Sequence, residues 1–567
     1  MELVSKSVRM LRLIPFLFLL LGVAQAQDDQ TSFRKLLQQN SMQAEQLYKQ
    51  KEYSKAAALL EQLLRNPNLA QMEDERMGVL YNLACFYSLS GEKQKALDAL
   101  GEAVAAGYSN TKGMQGDSDL DNIRGETQYK LLLAGLEARN KIQDALWNSP
   151  ALNTKYRPDL KEDEKVAGLS RLWSEAKYNF AFFDRLPGLD WDAAYLTYLP
   201  KVRATKNTLE YYETLAEFYA LLHDGHTAVG YPEQLYDVLG YPPISTRLIE
   251  GRVFIGAVRD PSLKQAGVVP GLEVIAVDGV PVKDYGNEHV APRISASTPQ
   301  DLARRTYEAS LLGGLKDSPV ELTFQDAAAN AQKATLPRLT AAETDKLPRP
   351  PWNRFQFKML AGGIAYVVLN TFSDDAVVKD FDTVFAEIQK SNALILDVRE
   401  NGGGSSNIGY QILGYLTDKP FLSSQWSTRD YRPVFRAWGA IEKTYHRGAN
   451  LVPAHSGGTP YSKPVVVLTS AETYSAAEDF AVAFDSMKRG TIIGEPTGGS
   501  TGQPLAFALP GGGWARVCSK HDSYPDGKEF VGVGVQPNVL VHLTISDFRA
   551  GRDTVLLAAS EFLGRQK

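Results

Sequence analysis

Val465-Val-Val-Leu-Thr-Ser470, Ala471-Glu-Thr-Tyr474 and Ser475-Ala-Ala-Glu-Asp-Phe-Ala-Val-Ala-Phe484 form one continuous stretch. Its reading decides the rest. The first segment is short, apolar and rich in β-branched residues, which predicts a strand buried on both faces. From Ser475 the period changes, and Ala476, Ala477, Phe480, Ala481 and Phe484 recur at helical spacing. A strand, a tight turn and a helix opening at a serine can expose a nucleophile. Its hydroxyl then sits at the positive end of a helix, beside backbone N–H groups that the helix leaves unpaired. On this stretch alone, Ser475 reads first as a helix cap, a position serine favours, since a strand–serine–helix signal is common.

Three further stretches bear on the choice. Leu394-Ile-Leu-Asp-Val-Arg-Glu-Asn-Gly-Gly-Gly404 is a second buried strand running into a glycine turn. Leu222-His-Asp-Gly-His226-Thr227 sets a histidine just after a helix, and Gly494-Glu-Pro-Thr-Gly-Gly-Ser500 is a third strand-end turn. In this order, over roughly residues 160–545, they resemble the carboxyl-terminal-processing serine peptidases, the family of the tail-specific proteases and the tricorn core. The resemblance implies a peptidase of protein or peptide substrates with Ser475 as nucleophile and His226 as general base. It also implies an oxyanion hole of backbone N–H groups at Gly403, Gly404 and Ala476, with Gly403 the best single donor. No metal and no cofactor is expected, since no ligand cluster accompanies His223 and His226.

The chain departs from the family patterns in two ways. Tail-specific proteases carry a lysine base where this chain has Ser500, so the imidazole of His226 is the expected base. The tricorn core has a serine directly before its histidine and a glutamate in a later glycine-rich stretch. Here Gly225 precedes His226, and Phe530-Val-Gly-Val-Gly-Val535 offers valine. Asp522, Asp526 and Glu529, just upstream, become the candidates for orienting the imidazole. Asp224 reads as a brace for its own turn.

The remainder divides by texture into a multidomain α/β protein. Lys6, Arg9 and Arg12, an apolar run from Leu13 to Val23 and Ala24-Gln-Ala26 predict a cleaved signal peptide over residues 1–26 and an exported protein, periplasmic or extracellular. No other long apolar run predicts a membrane span. Residues 27–150 follow a tetratricopeptide-like helical-repeat pattern, with Tyr48 and Tyr87, and Ala57 and Ala96, at one shared spacing. They predict a docking groove for a protein partner or a structural cap. Residues 160–232 form a helical part of the peptidase, with Leu172, Trp173, Ala176 and Phe180 in an aromatic-rich core stripe.

Residues 233–345 resemble a PDZ domain, through Gly271-Leu-Glu-Val-Ile-Ala-Val-Asp-Gly-Val-Pro-Val282. Such domains bind extended carboxyl-terminal tails at a sheet edge. Residues 353–567 alternate strands and helices and predict a layered, crotonase-like α/β core. A formal charge of −5 gives no support for nucleic-acid binding. The two cysteines, Cys85 and Cys518, fall in different predicted domains and read as buried free thiols.

Overall fold

The computed structural model describes residues 33, 36–37, 39–70, 72–349 and 351–565. The predicted signal peptide lies outside them. The chain divides into two compact units, residues 1–149 and 150–567. No helix among the described residues is long and apolar enough to cross a membrane.

The first unit is all helical. Tyr53–Leu64, Glu73–Leu89 and Lys93–Ala105 pack in sequence order, followed by the long helix Thr127–Trp147. Ala57, Ala84, Ala96 and Leu100 are buried where the helices meet. Small residues at these crossings let the backbones approach, which is what the alanine pattern required. Cys85 is buried here as a free thiol.

The second unit holds three sheets that matter for the site. One has strand order Phe355–Leu360, Ile364–Leu369, Ala393–Asp397, Val465–Thr469, Thr491–Gly494 and Val539–Leu540. The first pair is antiparallel and the rest are parallel. Every residue of Ala393–Asp397 and Val465–Thr469 is buried, because helices cover both faces. Leu394, Leu396, Val465 and Val467 share a core with Ala477, Phe480 and Phe484 of the helix Ala476–Ser486. Ile395, Val466 and Leu468 point the other way, onto Val555, Ala559 and Leu563 of the last helix. The two-residue period thus sorts each strand between two apolar layers, and a continuous apolar run is the sequence form this demands.

The helices Glu162–Asn179, Trp191–Ala204 and Thr208–Ala220 join the first of those cores through Leu172, Trp191, Tyr211 and Phe218. They are part of the body that carries Ser475. The strand Ala228–Gly230 after them pairs antiparallel with Trp514–Cys518, which pairs in turn with Pro504–Ala508. This small sheet ties the histidine turn to the carboxyl-terminal part of the fold.

Residues 244–336 build an antiparallel sheet in the order Ile244–Ile249, Arg252–Val258, Glu273–Val277, Val320–Gln325, Ala331–Leu336, around its own core of Val253, Val274, Leu322 and Phe324. Asp278 and Gly279 link Val277 to Val280 with φ of +48° and +79°. Positive φ at both turn residues is what a two-residue hairpin needs to match strand twist.

Candidate active site

Ser475 stands where the buried strand Val465–Thr469 has turned into the helix Ala476–Ser486, with φ +55° and ψ −125°. A β-carbon is crowded at that φ, and such strain is held only where the surroundings over-determine it. Here they do. The Ser475 N–H donates to the Ser500 carbonyl (3.1 Å) and to the buried Glu478 carboxylate (3.3 Å), and its carbonyl accepts from Glu478 N at 2.8 Å.

His226 arrives from a distant segment. The helix Thr208–Ala220 ends, His223 takes φ +46°, and the turn Asp224–Thr227 follows. Buried Asp224 accepts from the Thr227 hydroxyl at 2.6 Å and from Ser297 at 3.3 Å. Ser295 Oγ donates to the Asp224 carbonyl, and Gly225 N donates to Ser297 Oγ. Asp224 therefore braces its own turn, and residues of the neighbouring antiparallel domain hold that turn in place. Gly225 has a steric reason, since a β-carbon there would lie 1.8 Å from the Tyr474 hydroxyl.

The two segments meet. His226 Nε2 lies 3.1 Å from Ser475 Oγ, and His226 Nδ1 lies 2.8 Å from Ser500 Oγ. The imidazole stacks on Tyr474, with ring centroids 5.2 Å apart and planes 12° from parallel. Ser500 also reaches the Tyr474 phenol, to which Arg305 donates at 2.8 Å. The ring is only 5% exposed. Burial, then the charges of Arg516, Arg305 and Lys520, push its pKa down to about 3, so it is neutral at pH 7.

The expected imidazole-orienting carboxylates are elsewhere, which corrects that expectation. Asp522 accepts from Lys520 at 2.9 Å. Asp526 accepts from Lys528 N within its own turn. Glu529 pairs with Arg185 and His521. Local cations and turn donors take all three, and the neutral Ser500 hydroxyl stands at Nδ1. Sequence reading noted Ser500 only as the place where a lysine was missing. Its position at the end of the third strand-end turn was the one available signal.

Glu478, one turn into the helix, was also overlooked. Its fully buried carboxyl gathers Thr497 Oγ1 (2.5 Å), Gly499 N (2.7 Å), Ser500 N (2.8 Å) and Ser475 N. Burial pushes it up to about 8 while these donors hold it down. It fastens the Ser500 turn to the Ser475 turn. The glycine-rich stretch 530–535 buttresses the same turn, with Val535 N donating to Thr497 Oγ1 at 2.7 Å.

The glycine turn lies against the serine. A β-carbon on Gly403, at φ +99°, would stand 2.7 Å from Ser475 Cβ and 3.0 Å from Ala476 N. Only glycine allows that approach. The Gly403 N–H, however, donates to Asn401 Oδ1 at 2.9 Å, so it is already engaged. Among the described residues, the N–H groups of Ala476 and Gly404 carry no hydrogen bond.

A strained serine on a strand-to-helix turn, with a neutral imidazole at its oxygen and unpaired N–H groups beside it, is the arrangement of a serine hydrolase. Residues 363–541 match the model for peptidase family S41. The chain is similar to the carboxyl-terminal-processing peptidase 2, chloroplastic, of Arabidopsis thaliana, with 25% identity over 53% of this chain and 52% of that one. It is also similar to the carboxyl-terminal-processing protease of Picosynechococcus, with 24% identity over 60% of this chain and 75% of that one. The chain thus spans about half the length of the first relative. In fold it is similar to mature CPAF complexed with lactacystin, with a TM-score of 0.55 and 17% identity, over 71% of this chain and 97% of that one.

Proposed function

We propose that this protein is an exported serine endopeptidase that cleaves protein or peptide substrates. Ser475 is the nucleophile and His226 the general base. For Nε2 to accept the Ser475 proton, the imidazole carries its own proton on Nδ1 and donates it to Ser500 Oγ. Ser475 Oγ then attacks the scissile carbonyl carbon as its proton passes to Nε2. The carbonyl oxygen becomes an oxyanion facing the N–H groups of Ala476 and Gly404. Collapse gives an acyl-enzyme as Nε2 protonates the leaving amine. A water, deprotonated by the same nitrogen, releases the acid. Gly403 serves here as the residue whose missing β-carbon lets the turn approach.

The observation that carries this reading is the 3.1 Å contact between His226 Nε2 and an Oγ held on a strained backbone. The test is Ser475→Ala and His226→Ala, each assayed on casein and on peptides, with fluorophosphonate labelling as a first screen. Cleavage surviving in Ser475→Ala would remove the nucleophile. The residues 233–345 would offer peptide tails to the cleft, and the helical repeats of residues 27–150 would dock a protein partner. Export rests on the pattern of residues 6–26.

A second reading is favoured by one observation. With the Gly403 N–H held by Asn401 and a weakly basic imidazole, the same fold would serve as a catalytically silent peptide-binding protein. Absence of fluorophosphonate labelling in folded protein would select it.

A further inference from the structure

Three cations act on His226. Arg305 has a counterion, donating from Nε to Asp301 at 2.8 Å, and Lys520 has Asp522 at 2.9 Å. Arg516, which acts on the imidazole more strongly than the other two, has neither ion pair nor hydrogen bond among the described residues, and its buried Nε has no partner.

Its place is set by strand register. Ala228 pairs with Arg516 and Gly230 with Trp514, while Ala506 and Ala508 pair with the same two residues from the other side. Paired residues of antiparallel strands share a face. Ala515 and Val517 face the core, so Arg516, Trp514, Ala228, Ala506 and Ala508 form the opposite face. His226 sits in the turn that leads into this strand, two residues before Ala228, within electrostatic reach of Arg516. The Trp514 ring lies over Gly230, where a β-carbon would come within 2.0 Å of it. The face is therefore a floor of small side chains that carries an aromatic ring and a guanidinium, beside the turn that holds the catalytic imidazole.

We propose that Arg516 binds a carboxylate of the substrate close to the scissile bond, either the terminal carboxylate or an aspartate or glutamate side chain. A guanidinium without a counterion is poised for two-point contact with such a group. This rests on the peptidase reading. Binding would have a second effect. The bound carboxylate offsets the cation that most opposes protonation of His226, so the imidazole becomes a better base when the right peptide is present. Besides the three cations, the groups around that ring are Ser475, Ser500, Tyr474, Asp224, Asp301 and Cys518.

The test uses the full chain with matched peptide libraries and mass-spectrometric readout. One library has free carboxyl termini, one is amidated without acidic residues, and one is amidated with internal aspartate or glutamate. The expected result is a kcat/KM about 10–100-fold higher for at least one carboxylate library than for the neutral one, the scale of a charge-assisted contact. Which library wins identifies the source. Arg516→Ala should bring that ratio close to one, Arg516→Lys should keep part of it, and Arg516→Glu should reverse it towards lysine-bearing peptides. Equal rates on all three libraries with wild-type protein would overturn the proposal without any variant, as would an unchanged ratio in folded Arg516→Ala. Labelling and cleavage that show no carboxylate preference remove only the role of Arg516. Failure of wild-type protein to label or cleave at all removes the peptidase reading and this inference together.

Discussion

Replacing Ser500 by alanine isolates the least expected part of the site. His226 is almost wholly buried, and its Nδ1 makes one contact, at 2.8 Å, to Ser500 Oγ. Removing that oxygen leaves a buried N–H unpaired, at a cost of about 1–3 kcal/mol. It also removes what fixes the tautomer with Nε2 open to Ser475. If the whole cost falls on the transition state, kcat/KM drops roughly 5- to 150-fold. The loss stays well short of the ~10⁴ seen when a triad carboxylate is replaced by its amide, because a hydroxyl carries no charge to balance the imidazolium. The measurements are kcat/KM on a cleaved peptide, the rate of fluorophosphonate labelling of Ser475, and a melting curve to show that the variant folds. Asp522→Asn is the control. Wild-type rates in folded Ser500→Ala together with a loss of ~10³ or more in Asp522→Asn would refute the argument. They would show that a carboxylate swings in to orient the ring during turnover.

Other expectations follow from the same geometry. The neutral state of His226 extends down to about pH 3, so the acid limb of kcat/KM should lie well below pH 6. A limb near 6.5, the value of a free imidazole, would contradict the burial argument. The same depression means that the unfolded chain takes up a proton between pH 6.5 and 3 that the folded chain refuses, so stability should fall with pH across that window. Glu478→Gln turns an NH2 towards groups that are themselves donors, leaving about two buried donors unpaired at about 1–3 kcal/mol each. Denaturant midpoints should fall and Ser475 labelling should slow. Gly403→Ala forces a β-carbon to 2.7 Å from Ser475 Cβ and should suppress labelling even where circular dichroism still reports a folded chain. Arg399 bridges Asp397 and Asp553 at 2.6–2.9 Å. Arg399→Ala should cost about 3–5 kcal/mol of unfolding free energy, by leaving buried Asp397 without its cation.

What sequence could and could not give separates along the range of the interaction. The core strands were legible because burial on both faces leaves no alternation, only runs such as Val465-Val-Val-Leu. The helix after Ser475 was legible because Ala477, Phe480 and Phe484 must share one side to reach that core. The partner of the imidazole was not legible. A hydrogen bond between residues 226 and 500 is written in no local period, and the search for a carboxylate followed charge, which the fold supplies differently. Asp522, on the short strand His521–Ser523, was committed to Lys520 two residues earlier. The Ser500 hydroxyl is placed by Glu478, whose own position follows from helix geometry one turn after Ser475. Similarly, Gly403 was read correctly as a point of close approach but wrongly as a free donor, because Asn401 lies two residues earlier and folds its side chain back onto that N–H.

These corrections share a cause and carry one consequence. In each, a short-range polar contact claims a group that pattern reading had assigned to the chemistry. What is left for the chemistry is whatever no local contact claims: Ser475 Oγ, the N–H groups of Ala476 and Gly404, and the guanidinium of Arg516. A folded protein seldom leaves buried or half-buried polar groups unpaired. Two of these, the Ala476 N–H and the Arg516 Nε, belong to buried or half-buried residues beside one imidazole, and a ligand that brings the missing oxygens accounts for both. A peptide supplies both kinds, a carbonyl for the two N–H groups and a carboxylate for the arginine.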